Sequence, residues 1–203
     1  LFKILCGLYK PSEGRMLING IDINDISLKS YRNRISVLFQ DFLKYEGTVL
    51  ENVILGDIET DLQDDSVYDA LKNAEVDFVL KNGKNDLYQT IGTWFDNGKQ
   101  LSGGQWQKIA LSRAYYKQAD MYMLDEPSAA LDAESETKIF TNYMKISKEK
   151  IAVYITHRAK IAAKADKIFV MENGEIIDIG THDDLMCRCI IYQNLYYKDD
   201  KLC

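Results

Sequence analysis

The chain has 203 residues, 46% of them hydrophobic and 28% charged, which is long and apolar enough for one good core with a subdomain and excludes a disordered or fibrous chain. A formal net charge of −6 argues against a nucleic-acid surface, which needs a basic patch. No apolar run approaches the roughly 20 residues of a membrane-spanning helix, and the N-terminal residues do not read as a secretory leader. Leu1, Phe2, Ile4, Leu5 and Leu8 look like the tail of an amphipathic helix already under way. With no initiator methionine either, the expectation is a fragment of a longer chain. Residues 15–23, RMLINGIDI, predict a β-hairpin with a type I′ turn at Asn19-Gly20. Residues 27–41 predict a short polar helix and then a strand from Ile35 to Phe39 that ends at Gln40. From 41 to about 114 the pattern is mostly helical, with Val67, Leu71, Ala74 and Phe78 near helical spacing. This stretch reads as an inserted helical subdomain, 41–114, within a core made of 1–40 and 115–203. Two short apolar strands follow, at 121–124 and 151–156, with a polar helix over 133–147 between them. Residues 167–180 predict strand, turn at Asn173-Gly174 and strand, and 182–197 a closing amphipathic helix. Strands alternating with helices predict an α/β core with a mainly parallel sheet and an antiparallel hairpin portion. Cys6, Cys187, Cys189 and Cys203 lack zinc spacing and read as unpaired thiols of a reducing compartment.

Residues 101–108, LSGGQWQK, place two glycines where a helix begins, although each costs roughly 1 kcal/mol inside a helix. Capping is one explanation: Ser102 and Gln105 form the S-x-x-Q of a capping box. That leaves Gly103 and Gly104 without a reason. Residues without side chains at a helix N-terminus leave amides bare, and bare amides with the helix dipole suit a phosphate. On the local pattern alone both explanations stand.

In an open α/β sheet, ligands sit at the carboxyl ends of strands. Three predicted strands end in polar groups: Gln40, Asp125-Glu126 and His157. Asp125 after four apolar residues is a Walker-B arrangement, whose carboxylate helps hold Mg²⁺. Glu126 could orient or deprotonate a water, Gln40 could offer its amide oxygen to metal or water, and His157 could donate to a phosphate oxygen. These are parts for phosphoryl transfer. A Walker-A loop is missing. The nearest match, GTWFDNGKQ over 92–100, has five residues between its glycines and Gln100 where Ser or Thr belongs, so it reads as a decoy.

LSGGQWQKIALSRA, then MYMLDEPSAALD, then ITHR, resembles the nucleotide-binding domain of an ABC transporter. LSGGQ matches the family signature, MYMLDE the Walker B with the catalytic glutamate, SAALD the D-loop and SVLFQD the Q-loop. GTVLENVILGD and GTHDDL are similar to segments of the exporter branch, and the likeness covers essentially all 203 residues. It implies a P-loop ATPase core with a helical subdomain, and ATP and Mg²⁺ as ligands. By family analogy Asp125 and Gln40 serve the metal, and Glu126 and His157 are catalytic. Ser102, Gly103, Gly104 and Gln105 touch nucleotide held by a second nucleotide-binding domain, in a homo- or heterodimer. Asp132 lies at that interface. The resemblance further implies an upstream membrane domain, a place at the cytoplasmic face of the membrane and no nucleic-acid partner. It places the chain's start just past the Walker-A Ser/Thr, so the chain by itself is expected to be inactive. WFDNGK departs from the exporters' Thr-x-Val-Gly-Glu, and QWQK from the commoner Gln-Gln-Arg, which reads as harmless. Two rivals are a soluble ABC-type ATPase acting on ribosomes or chromosomes and a degenerate module that no longer turns over. The absence of sustained heptads argues against the chromosomal type. The presence of both Glu126 and His157 argues against degeneration.

Overall fold

A computed structural model describes residues 1–59, 64–80 and 83–200 of the chain. The chain divides into two compact units, Leu1–Val153 and Tyr154–Cys203.

The first unit opens with helix α1 (Phe2–Leu5) and the strands β1 (Leu17–Ile18) and β2 (Ile21–Asp22), which pair antiparallel as the Asn19-Gly20 turn predicts. Both turn residues have positive φ, 49° and 84°, the type I′ requirement. Helix α2 (Leu28–Asn33) is capped by the Ser27 side chain and leads into β3 (Ile35–Leu38). Next come β4 (Gly47–Thr48), α3 (Val49–Ile54), α4 (Asp64–Asn73) and β5 (Thr90–Ile91). The antiparallel β4–β5 pair is an element that the helical pattern of this stretch did not predict. Two-residue strands carry too few side chains for a period to show. Thr48 and Glu51 close a reciprocal capping box at the start of α3.

Helix α5 (Gly103–Tyr116) is the spine of this unit. Trp106, Ile109, Ala110, Leu111 and Ala114 are buried on it, so apolar contacts surround the helix instead of lining one face. It is followed by β6 (Met121–Asp125), α6 (Ala133–Ile146) and β7 (Ile151–Ile155), whose first three residues belong to this unit. β3 and β6 pair in parallel, Ile35 against Met121 through Leu38 against Leu124, within a sheet of order β3-β6-β7. That register sets the ends of β3 and β6 side by side, two residues from Gln40 and at Asp125-Glu126. The Tyr143 hydroxyl donates to the carbonyls of Tyr122 and Val153 and so fastens α6 to the sheet.

The second unit contains α7 (Ala159–Ala162), β8 (Ile168–Glu172), β9 (Glu175–Gly180), α8 (His182–Arg188) and α9 (Ile190–Asp200). β8 and β9 form the expected antiparallel hairpin about Asn173-Gly174. Ile168 and Val170 pack on Leu185, Cys189 and Tyr192. The single closing helix predicted over 182–197 is two helices. Cys189 is extended between them, with ψ 98°, and its side chain is buried. Arg188 reaches back to the Asp178 carboxylate and the Ile179 carbonyl, and Gln193 Nε2 donates to the Met186 carbonyl that the break leaves without a helical partner. Among the described residues no helix is long and apolar enough to cross a membrane.

Candidate active site

The polar ends of β3 and β6 meet. Gln40 is exposed just beyond β3, and its amide Nε2 donates to Glu126 Oε2 at 3.3 Å. Asp125 is the last residue of β6, half-buried, and sits near the Cys6 thiol. Burial, with a smaller contribution from the Asp125 charge, pushes that thiol up to about 11, so it stays neutral and unreactive. Glu126 has φ 46°, a left-handed conformation uncommon for a residue with a side chain and often found at functional sites.

Gln107 holds this turn in place. It is 4% exposed on α5, its Nε2 donates to the Glu126 carbonyl at 3.1 Å, and its Oε1 accepts from the Ala130 amide at 3.0 Å. The sequence reading passed over Gln107 as part of a harmless departure. The signal was there: on a helix apolar around its circumference, a glutamine has no solvent face and must be bonded. Beyond Glu126, the buried Ser128 hydroxyl donates to Glu136 Oε1 at 2.5 Å. Asp132 caps α6, its Oδ1 accepting from the Ser135 amide, and that bond holds its carboxyl below the usual range.

At the start of α5 the capping box forms as the sequence predicts. Ser102 Oγ accepts from the Gln105 amide at 3.3 Å and Gln105 Oε1 from the Ser102 amide at 2.9 Å. The two glycines differ. A Cβ on Gly104 would fall 2.9 Å from the Ala130 carbonyl oxygen, so this glycine lets the helix pack on the turn after Glu126. Gly103 has nothing within 4 Å of that position, so its bare amide faces open space. Intramolecular packing thus accounts for Gly104 and leaves Gly103 without an intramolecular reason.

The loop 92–98 is no phosphate cradle. Its Thr93 and Trp94 amides both donate to Glu46 Oε2, an anionic acceptor standing where a phosphate would have to be. His157 belongs to the second unit. It is exposed, in a turn where the Arg158 amide donates to Thr156 Oγ1 at 2.9 Å. Cys6, Cys187 and Cys189 are free thiols, and Cys203 lies outside the described residues. Among the described residues there is no group of three or more His, Cys, Asp or Glu that could hold a metal. Asp125 and Gln40 still suit Mg²⁺, which keeps several waters and takes further oxygens from a substrate phosphate instead of an all-protein cage.

Comparison with known proteins agrees with this arrangement. A family model described as ABC transporter matches residues 1–129. The chain is 46% identical over 193 residues to the subtilin transport ATP-binding protein SpaT of Bacillus subtilis, covering 95% of this chain and 31% of that protein. It is 44% identical over 199 residues to the nisin transport ATP-binding protein NisT of Lactococcus lactis subsp. lactis, covering 98% and 33%. A bacterial Atm1-family ABC exporter solved with ATP bound superposes with a TM-score of 0.87 at 27% identity, over 98% of this chain and 34% of that one. The chain therefore spans about a third of the length of these relatives.

Proposed function

Because this chain belongs to the ABC transporter family, we propose that it is the ATP-hydrolysing domain of an exporter, part of a longer protein with a membrane-spanning portion. The observation that carries this reading is the junction of Gln40 with Glu126, built beside a capped helix whose Gly103 faces open space. The relatives' names, which are transport ATP-binding proteins and an ATP-bound exporter, support it.

In this reading Asp125 and Gln40 serve Mg²⁺, which when bound offsets the charge of the ATP phosphates. Glu126 orients and deprotonates the attacking water, with the Gln40 amide and the Gln107 clasp fixing where its carboxylate points. His157 contacts the γ-phosphate. Ser102, Gly103, Gly104 and Gln105 face the γ-phosphate of ATP held by a second copy of the domain, and Asp132 lies at that interface. Residues 41–114 act as a helical subdomain on a core of 1–40 and 115–203, at the cytoplasmic face of the membrane. The 203 residues contain no Walker-A match, so the longer protein supplies the phosphate-cradling loop and the chain alone is inactive.

The test is Glu126→Gln in the longer protein. The amide keeps the shape and removes the base, so ATP binding is retained while turnover falls at least about 100-fold, as the loss of a positioned general base implies. Turnover within about threefold of wild type contradicts the assignment of Glu126.

A further inference from the structure

Arg113 lies on α5, eleven residues past Ser102, or roughly 16 Å along the helix axis, so it touches none of the proposed nucleotide contacts. Its guanidinium fans across the segment that follows Gln40. Nη1 donates to the Leu43 carbonyl at 2.7 Å, Nε to the Asn52 carbonyl at 3.1 Å and Nη2 to Asn52 Oδ1 at 2.6 Å, while the group lies 4.8 Å from the Tyr45 ring centre. Asn52 is itself fixed. It is 1% exposed, and its Nδ2 donates to the carbonyls of Tyr45 and Thr48, which sets its oxygen toward Arg113. No carboxylate among the described residues pairs with Arg113; its charge is held by carbonyl dipoles and a ring face. Burial lowers its pKa to about 10, which leaves it charged at neutral pH.

Residues 41–46 form neither helix nor strand, so nothing in their own backbone would make them follow α5. The three bonds of Arg113 do so at Leu43 and Asn52. A second tie lies at Glu46, whose carboxylate accepts from Thr93 and Trp94 in the loop ahead of α5. The first residue upstream with a bond into the active site is Gln40, on Glu126.

We propose that Arg113 is a positioning residue that locks the segment after Gln40 to the signature helix, so that Gln40 and Ser102-Gly103 shift as one body during the ATP cycle. The proposal rests on the functional reading above and adds a mechanical link between two contact regions that bind different nucleotides. Lysine could not replace Arg113, because one ammonium on a flexible stem cannot span the Leu43 and Asn52 carbonyls and the Asn52 amide together.

The test uses the full-length protein that carries this chain. Arg113→Lys is expected to keep KM for ATP within about threefold and to lower kcat at least tenfold. In the Gln40→Ala, Arg113→Lys double variant, the loss is expected to stay within about threefold of the larger single loss, because both lesions break one linkage. A wild-type kcat in Arg113→Lys, or losses that multiply in the double variant, overturns the proposal. Should Arg113→Lys fail to fold, hydrogen exchange on the wild type decides. MgATP should change protection across 43–52 and 103–113 together, and a change in one stretch without the other overturns the link. A wild type that neither binds nor hydrolyses ATP contradicts the functional reading alone. The link is then read in Arg113→Lys, where the amides of 43–52 should exchange at least tenfold faster, and unchanged exchange overturns it.

Discussion

A methyl group added at Gly103 meets nothing within 4 Å, whereas one added at Gly104 lands 2.9 Å from the Ala130 carbonyl oxygen and 3.2 Å from Leu131 Cδ2. Gly103→Ala should therefore leave stability unchanged or raise it by up to about 1 kcal/mol, through helix propensity and a less free unfolded chain. Gly104→Ala forces helix or turn to move and should lower stability by about 1–3 kcal/mol despite the better propensity. Urea denaturation of the two variants checks this, and equal midpoints would contradict the packing role given to Gly104. In the sequence the two glycines form one motif with one purpose. Their separate purposes depend on where residues 130 and 131 fold back, which no local pattern reveals. Gln107 was missed for the same reason, since both of its partners, Glu126 and Ala130, lie about twenty residues downstream. Glu126 and Gln40 were legible because each follows an apolar run, and a strand's last residue is placed by the strand itself.

Helix α5 begins where its capping box says it should. Ser102→Ala removes the acceptor for the Gln105 amide and should cost about 1 kcal/mol, within the range for N-cap loss. A thermal melt of the variant measures it, and no change in midpoint would mean that Gln105 alone sustains the helix start. Elements with local signals were read correctly, among them the two Asn-Gly hairpins, the strands at 35 and 121 and the polar helix after Asp132. The division of the closing helix was not read. Residues 182–197 keep helical spacing throughout, and what breaks the helix is a set of tertiary contacts, namely Arg188 on Asp178 and Cys189 drawn into the core. The β4–β5 pair escaped in the same way: it joins residues more than forty positions apart, and neither partner is long enough to show a strand pattern.

At the scale of the whole molecule, the chain carries half of each of two sites. Gln40, Asp125 and Glu126 gather at the sheet end, whereas Gly103 presents an open amide that no residue of its own chain covers. That division is what a nucleotide shared between two copies requires, and both lesions needed to test it lie within these 203 residues. In the full-length protein, Gly103→Asp puts a carboxylate where a partner's phosphate would approach, in space that the fold leaves empty, so it repels without disturbing its own chain. Glu126→Gln removes the base. Each variant alone should be silent. When the two are co-expressed, a signature that serves the opposite copy leaves one composite site with an intact Glu126 and an intact Gly103, and the other site with both lesions. Mixed dimers purified with two different affinity tags should then recover up to about half of the wild-type ATPase rate or, where the two sites fire only together, hold one ATP per dimer without turnover. Mixed dimers that show neither hydrolysis nor a retained nucleotide would contradict the assignment of Gly103 to the partner's ATP.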